Sequence, residues 1–131
     1  MSRVLLDTNI YSLAMRGDAE VVEALRRIDQ LFISAVSLGE LFAGFKAGGR
    51  EAENRRELAQ FLDSPRVALL TIDDETAEFY AEILVRLRSQ GTPIPTNDIW
   101  IAAVAFQHGL KLFTRDRHFQ QVPGLMLFPP I

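Results

Sequence analysis

Short apolar runs alternate along this chain with longer stretches of helical periodicity, and that alternation restricts the fold more than any other feature. Val4–Leu6, Leu31–Ser34, Val67–Ile72, Leu110–Thr114 and Leu125–Phe128 read as strands, the last one stopped by Pro129-Pro130. Between them lie helices. One runs over 10–15 and stops at Gly17, and Asp18 caps a second that carries Val22, Leu25 and Ile28 on one face. Residues 36–47 form a third, ended by Gly48-Gly49, and 50–62 a charged fourth, closed by Ser64-Pro65. Asp73-Asp74-Glu75 opens a fifth with Tyr80, Ile83, Leu84 and Leu87 aligned, ending at Gln90-Gly91. After the stiff loop Thr92-Pro93-Ile94-Pro95, Thr96 reads as the N-cap of a helix over 97–107 that ends at His108-Gly109. That helix is apolar nearly all round, which marks it as a buried, central element. Strands alternating with helices predict an α/β fold, a central parallel sheet of about five strands with helices on both faces. At 131 residues, without internal repeats or low-complexity linkers, the expectation is a single domain over 1–131.

Composition removes several chemistries. There is no cysteine, so disulfides, thiol nucleophiles and cysteine-ligated zinc are excluded. The first residues are too brief an apolar run for a secretory signal, and the longest apolar stretch, Ile99–Phe106, cannot span a bilayer. A cytoplasmic protein without membrane contact is the expectation. A formal net charge of −3 is unusual for a nucleic-acid binder. Four of the negative charges have a special placement, however, and setting those four aside turns −3 into +1.

Those four are Asp7, Glu40, Asp98 and Asp116. Each lies where a strand hands over to a helix or within the first turns of a helix. Ligand sites of open α/β sheets form outside the carboxyl ends of the strands, so acids far apart in sequence can meet there. Carboxylates gathered without cationic partners favour a hard divalent ion, and Mg²⁺ or Mn²⁺ takes oxygen ligands. Each acid also has a purely structural reading. Asp7 can cap the following helix, and Asp98 can compensate a helix dipole. Ser37-x-x-Glu40 matches a capping box unless the helix begins after Ser34, and Asp116 fits a turn. His108 reads as a helix-end residue and Trp100 as core. His118 is open between loop packing and a phosphate contact, and Arg115 suggests no particular substrate.

Taken together, Leu6-Asp7-Thr8-Asn9, Ser34 through Glu40-Leu41, Asn97-Asp98-x-Trp100-Ile101-Ala102-Ala103, Thr114-x-Asp116-Arg117-His118-Phe119 and Val122-Pro123-Gly124-Leu125 resemble the PIN-domain ribonucleases. The resemblance covers essentially the whole chain and is to the VapC-type toxins of bacterial toxin–antitoxin pairs. It implies a PIN-like fold and a metal-dependent endoribonuclease whose catalytic quartet is Asp7, Glu40, Asp98 and Asp116. It also implies a homodimer, held inactive by a small antitoxin whose tail fills the active-site groove. In this reading Asp7, Asp98 and Asp116 bind Mg²⁺ or Mn²⁺, and Glu40 helps hold a metal and orients the attacking water. Thr114 and Asn97 orient the carboxylates by hydrogen bonds. Two alternatives stand beside it: a noncatalytic module that binds RNA or an antitoxin, and a receiver-type signalling domain. The receiver wants clustered acids after the first strand, and Asp7 stands alone there. A haloacid-dehalogenase-type phosphatase needs an acid two residues after its nucleophile, and position 9 is Asn.

Overall fold

In a computed structural model of the chain, which describes residues 1–129, β1 (Arg3–Leu6) ends at Asp7 and turns at once into α1 (Thr8–Met15). There follow α2 (Ala19–Arg27), β2 (Gln30–Ser34), α3 (Ala35–Ala47), α4 (Glu51–Asp63) and β3 (Val67–Leu70). Then come α5 (Asp74–Gln90), α6 (Thr96–His108), β4 (Lys111–Phe113), a 3₁₀ segment over Arg117–Gln121 and β5 (Leu127–Phe128). Of the expected Pro129-Pro130 stop, Pro130 lies outside the described residues. The five strands form one sheet in the order β3-β2-β1-β4-β5, with every neighbouring pair parallel, as the alternating pattern predicts.

Strand side chains alternate between faces, and this chain uses both faces for core. Leu5 joins Phe32, Leu112 and the α5–α6 residues Ile83, Leu87, Ile99 and Ile101, while Val4, Leu6, Leu31 and Phe113 join the α1–α2 residues Ile10, Val21 and Leu25. A sheet covered on both sides reads as uninterrupted apolar runs, which is why Val4-Leu5-Leu6 and Leu31-Phe32-Ile33 show no polar alternation. Each such Leu or Ile contributes about 1.5–3 kcal/mol of burial. A third cluster, Tyr11, Ile33, Leu41 and Leu58, ties α3 and α4 to the end of the sheet near α1. Helix α6 buries Ile99 and every residue from Ile101 to Ala105, the outcome expected for a helix apolar all round.

Three local expectations need correction. The buried face of α2 is Val21 and Leu25, with Val22 only half-buried, and Ile28 is buried from the extended residue just past the helix. A step of three residues falls about 60° short of a full turn and a step of four overshoots by about 40°, so Val21 lines up with Leu25 better than Val22 does. Strands β3 and β5 are shorter than their apolar runs: β3 ends at Leu70, opposite Ser34, the last residue of β2, and β5 is Leu127–Phe128, with the Leu125 amide turned back to the Val122 carbonyl. The N-cap of α6 is Pro95 rather than Thr96, with no side-chain cap bond, and the Asp98 and Ile99 amides donate to the Pro95 carbonyl. Proline's fixed φ already sets the entry angle there.

The strand order decides where a site can form. The chain builds outward from β1 through β2 to β3, then returns to add β4 on the opposite side of β1. The order reverses between β1 and β4, and a crevice opens beyond the carboxyl ends of those two strands.

Candidate active site

Asp7 leaves β1 at that crevice. Its amide donates to the Phe113 carbonyl at 3.0 Å, prolonging the β1–β4 ladder by one bond. It does cap α1, with Oδ1 accepting from the Thr8 amide at 2.8 Å, but its other oxygen is used differently. Oδ2 accepts from the Thr114 hydroxyl at 2.8 Å, across 107 residues of sequence. The same Thr114 oxygen accepts from the Asp116 amide at 2.9 Å, so one buried hydroxyl sets the positions of two acids. Asp7 is only 5% exposed, and burial pushes its carboxyl up to about 6. The Thr114 and Thr8 bonds oppose that rise, while the charges of Asp98 and Asp116 add to it.

Glu40 arrives from α3. That helix begins directly after β2, and Ser34 caps it by accepting from the Ser37 amide at 3.2 Å. The Ser37-x-x-Glu40 capping box is therefore absent, and Glu40 stands in the second turn of α3, free to project. Its Oε1 accepts from the Thr8 hydroxyl at 2.7 Å. A hydroxyl has one proton; with Thr8's given to Glu40, the Ser37 hydroxyl, 2.8 Å away, donates to the Thr8 oxygen.

Asp98 comes from the first turn of α6 and Asp116 from the turn after β4. Asp98 follows a helix and a loop, not a strand; α6 brings it to the crevice because its N-terminus lies at that end of the sheet. Burial, then the charge of Asp116, raises the Asp98 carboxyl, and the His118 imidazole partly offsets this. His118 Nδ1 lies 3.3 Å from Asp98 Oδ2 and 3.1 Å from Asp116 Oδ1, and its amide donates to Asp116 Oδ1 at 2.9 Å. Asp98, Asp116 and His118 thus present ligand atoms within 4.8 Å of one another. Asp7 and Glu40 stand outside that tight group but are electrostatically linked to it: the charges of Asp98 and Asp116 raise the Asp7 carboxyl, and the charge of Glu40 raises that of Asp98.

Sequence reasoning left His118 undecided. Its one available signal was the position two residues after Asp116, where an aspartate accepts from the i+2 amide and turns that side chain back toward its own carboxylate. Asn97 is exposed, and among the described residues no hydrogen bond joins it to an acid, in contrast to Thr114. Trp100 stacks on Tyr80 at 4.0 Å as part of the helix packing. Arg115, beside Asp116 in sequence, turns away to Asp18 at 3.0 Å and Glu20 at 3.1 Å.

The donor set suits a hard divalent cation. It consists of carboxylate oxygens and one imidazole, burial and the neighbouring Asp98 and Asp116 charges raise the pKa of the buried member, and the adjacent arginine is committed elsewhere.

A family model described as PIN domain matches residues 4–125. Ribonuclease VapC4 of Mycobacterium tuberculosis is 38% identical over 94 residues, which span 71% of this chain and 72% of that protein. The chain aligns to a structure of VapBC2 from Rickettsia felis bound to a promoter DNA fragment with a TM-score of 0.86 and 26% identity, covering 95% of this chain and 96% of that one. A structure of VapBC-5 from Mycobacterium tuberculosis, a member of the VapBC family of toxin–antitoxin systems, aligns with a TM-score of 0.73 and 28% identity over 96% and 94% of the two chains. The chain belongs to the PIN-domain family. Within that family its relatives are the VapC proteins, as the resemblance in the sequence implied.

Proposed function

We propose that this chain is a Mg²⁺- or Mn²⁺-dependent endoribonuclease, the toxin of a toxin–antitoxin pair, hydrolysing RNA phosphodiester bonds at Asp7, Glu40, Asp98 and Asp116. The observation that carries the proposal is the convergence of Asp98, Asp116 and His118 ligand atoms beside the buried, uncompensated Asp7. The names of its VapC relatives support the ribonuclease half, and the VapBC neighbours support an antitoxin partner.

Asp98 and Asp116 would hold the cation, with Asp7 completing the set directly or through water. When bound, the ion acidifies a water and screens the charge that develops on phosphate. Asp7 is mostly ionised at neutral pH despite its pKa of about 6, so it is ready to bind without a large proton release. Thr114 holds the Asp7 and Asp116 carboxylates in register. Glu40 keeps one oxygen on Thr8 and offers the other to the attacking water, whose proton it can accept. Among the described residues no helix is long and apolar enough to cross a membrane. A cytoplasmic location fits an RNA substrate.

The test is cleavage of RNA by purified protein in Mg²⁺ and Mn²⁺, with a chelator control and an Asp98→Asn variant. The expected result is cleavage that chelation abolishes and that Asp98→Asn lowers by at least roughly 100-fold, the scale of losing a charge-stabilising group. RNA that is bound but never cut in either metal would replace the nuclease with the noncatalytic module.

A further inference from the structure

Two hollows flank the acids. The larger, about 640 Å³, lies between α1, α3 and α4 and reaches from Thr8 and Glu40 to Arg50 and Asn54. The smaller, about 350 Å³, is bordered by Asp116 and Arg115. Asn9, Ser12 and Arg16 border both. Their spacing of three and four residues puts them on one face of α1, so they form the ridge that separates the hollows.

A polyanion approaching four carboxylates needs cations beside the site, and most candidates here are occupied. Arg115 is paired with Asp18 and Glu20, Arg50 with Glu53, and Lys46 with Glu51. Arg16 is exposed, lies on the ridge, and has no acidic partner among the described residues. Its backbone is held: it is the C-cap of α1, its amide donates to the Ser12 carbonyl at 3.1 Å, and Gly17 follows at φ 81° to turn the chain away. The guanidinium therefore swings from a rigid base. Eight residues separate Thr8 from Arg16, about 12 Å of helix axis. From that base, in the hollow it shares with Asp116, the side chain reaches toward a phosphate beside the scissile one.

We propose that Arg16 is a substrate-positioning residue that grips an RNA phosphate flanking the scissile one, with the hydroxyl of Ser12 and the amide of Asn9 as neighbouring donors. The proposal rests on the nuclease reading above. It accounts for part of how a chain of net charge −3 holds RNA: Arg16, like Arg117 beside Asp116, has no acidic partner among the described residues and offers a bidentate cation next to the acids.

The test compares wild type, Arg16→Ala, Arg16→Lys and, as a control that borders neither hollow, Arg88→Ala on α5, using a short single-stranded RNA that wild type cleaves. Arg16→Ala should raise KM about tenfold with kcat within about twofold, and make the salt dependence of kcat/KM shallower by about 0.7 in log–log slope. Arg16→Lys should fall between, Arg88→Ala should match wild type, and all four should melt together. Equilibrium binding of the same RNA to Asp98→Asn with and without Arg16→Ala should show the same tenfold loss. If wild type cuts nothing, the nuclease reading fails while the binding arm still judges Arg16. Unchanged KM, Kd and salt slope in Arg16→Ala, or no RNA bound by either Asp98→Asn protein, would overturn the proposal. So would a loss confined to antitoxin binding.

Discussion

Replacing Asp7 by Asn should make the metal-free protein more stable, and the size of the gain follows from its surroundings. Lifting a buried carboxyl from 3.8 to about 6 costs its ionised form about 3 kcal/mol at neutral pH. Asn keeps an oxygen for the Thr8 amide but turns an NH₂ toward the Thr114 hydroxyl, which must give up donating. That poorer hydrogen bond removes about 1 kcal/mol. The net gain is about 2 kcal/mol, or roughly 6–10 °C in Tm for a chain of this size. The pH dependence has a definite sign. A carboxyl whose folded pKa is raised stabilises the fold while protonated, fully so below 3.8, and that stabilisation is lost as pH rises through about 6. The advantage of Asp7→Asn should therefore be greatest above pH 6 and shrink through the interval down to 3.8. Below that only the weaker hydrogen bond remains, and the variant should be slightly the less stable. Thermal unfolding of both proteins in chelator across this range measures it. A variant less stable than wild type at pH 7.5, or a difference that ignores pH, would refute the account of Asp7 as a buried charge without a counter-ion.

Glu40→Gln should melt within about 1 kcal/mol of wild type, because no capping box is lost, while RNA cleavage falls at least roughly 100-fold; retained cleavage would return Glu40 to a structural role. Thr114→Val keeps the shape but removes the proton given to Asp7 and the oxygen offered to the Asp116 amide. Cleavage should drop about 10–100-fold at neutral pH. Because the Thr114 bond holds the Asp7 carboxyl down, its loss moves that carboxyl above about 6, so part of the deficit should return at higher pH as Asp7 ionises. A pH–rate profile superimposable on that of wild type would show that Thr114 does not act through Asp7.

The order of strands and helices, the parallel sheet and the buried character of α6 were legible in the chain because each depends on local patterning. A two-faced strand reads as a continuous apolar run, and a helix enclosed on all sides has no polar stripe. The meeting of Asp7, Glu40 and Asp116 was legible because an α/β sheet collects its strand–helix junctions at one end, whereas Asp98, which follows a loop, joins them because α6 begins at that end. Less local features were not. Whether Glu40 caps or projects depended on one residue of helix onset, which the Ser34 hydroxyl decided by binding the Ser37 amide. The proposed role of Asn97 rested on adjacency to Asp98, and helix geometry points neighbours along a chain in different directions. Val21 displaced Val22 for a similar reason, a single-residue rotation of α2.

What the sequence by itself determined is the inventory: strands that must be buried on both faces, helices to cover them, and oxygen-rich side chains at the junctions with no cysteine beside them. Only the tertiary structure decided the assembly. Strand order placed β4 against β1, and that contact alone lets Thr114 reach Asp7 across 107 residues and brings His118 between Asp98 and Asp116. The same packing turned Arg115 toward Asp18 and left Arg16 uncommitted on its ridge. Hydrogen bonds and charges act over a few ångströms of space, and distance in space between residues far apart in a chain is settled by topology, not by spacing along it.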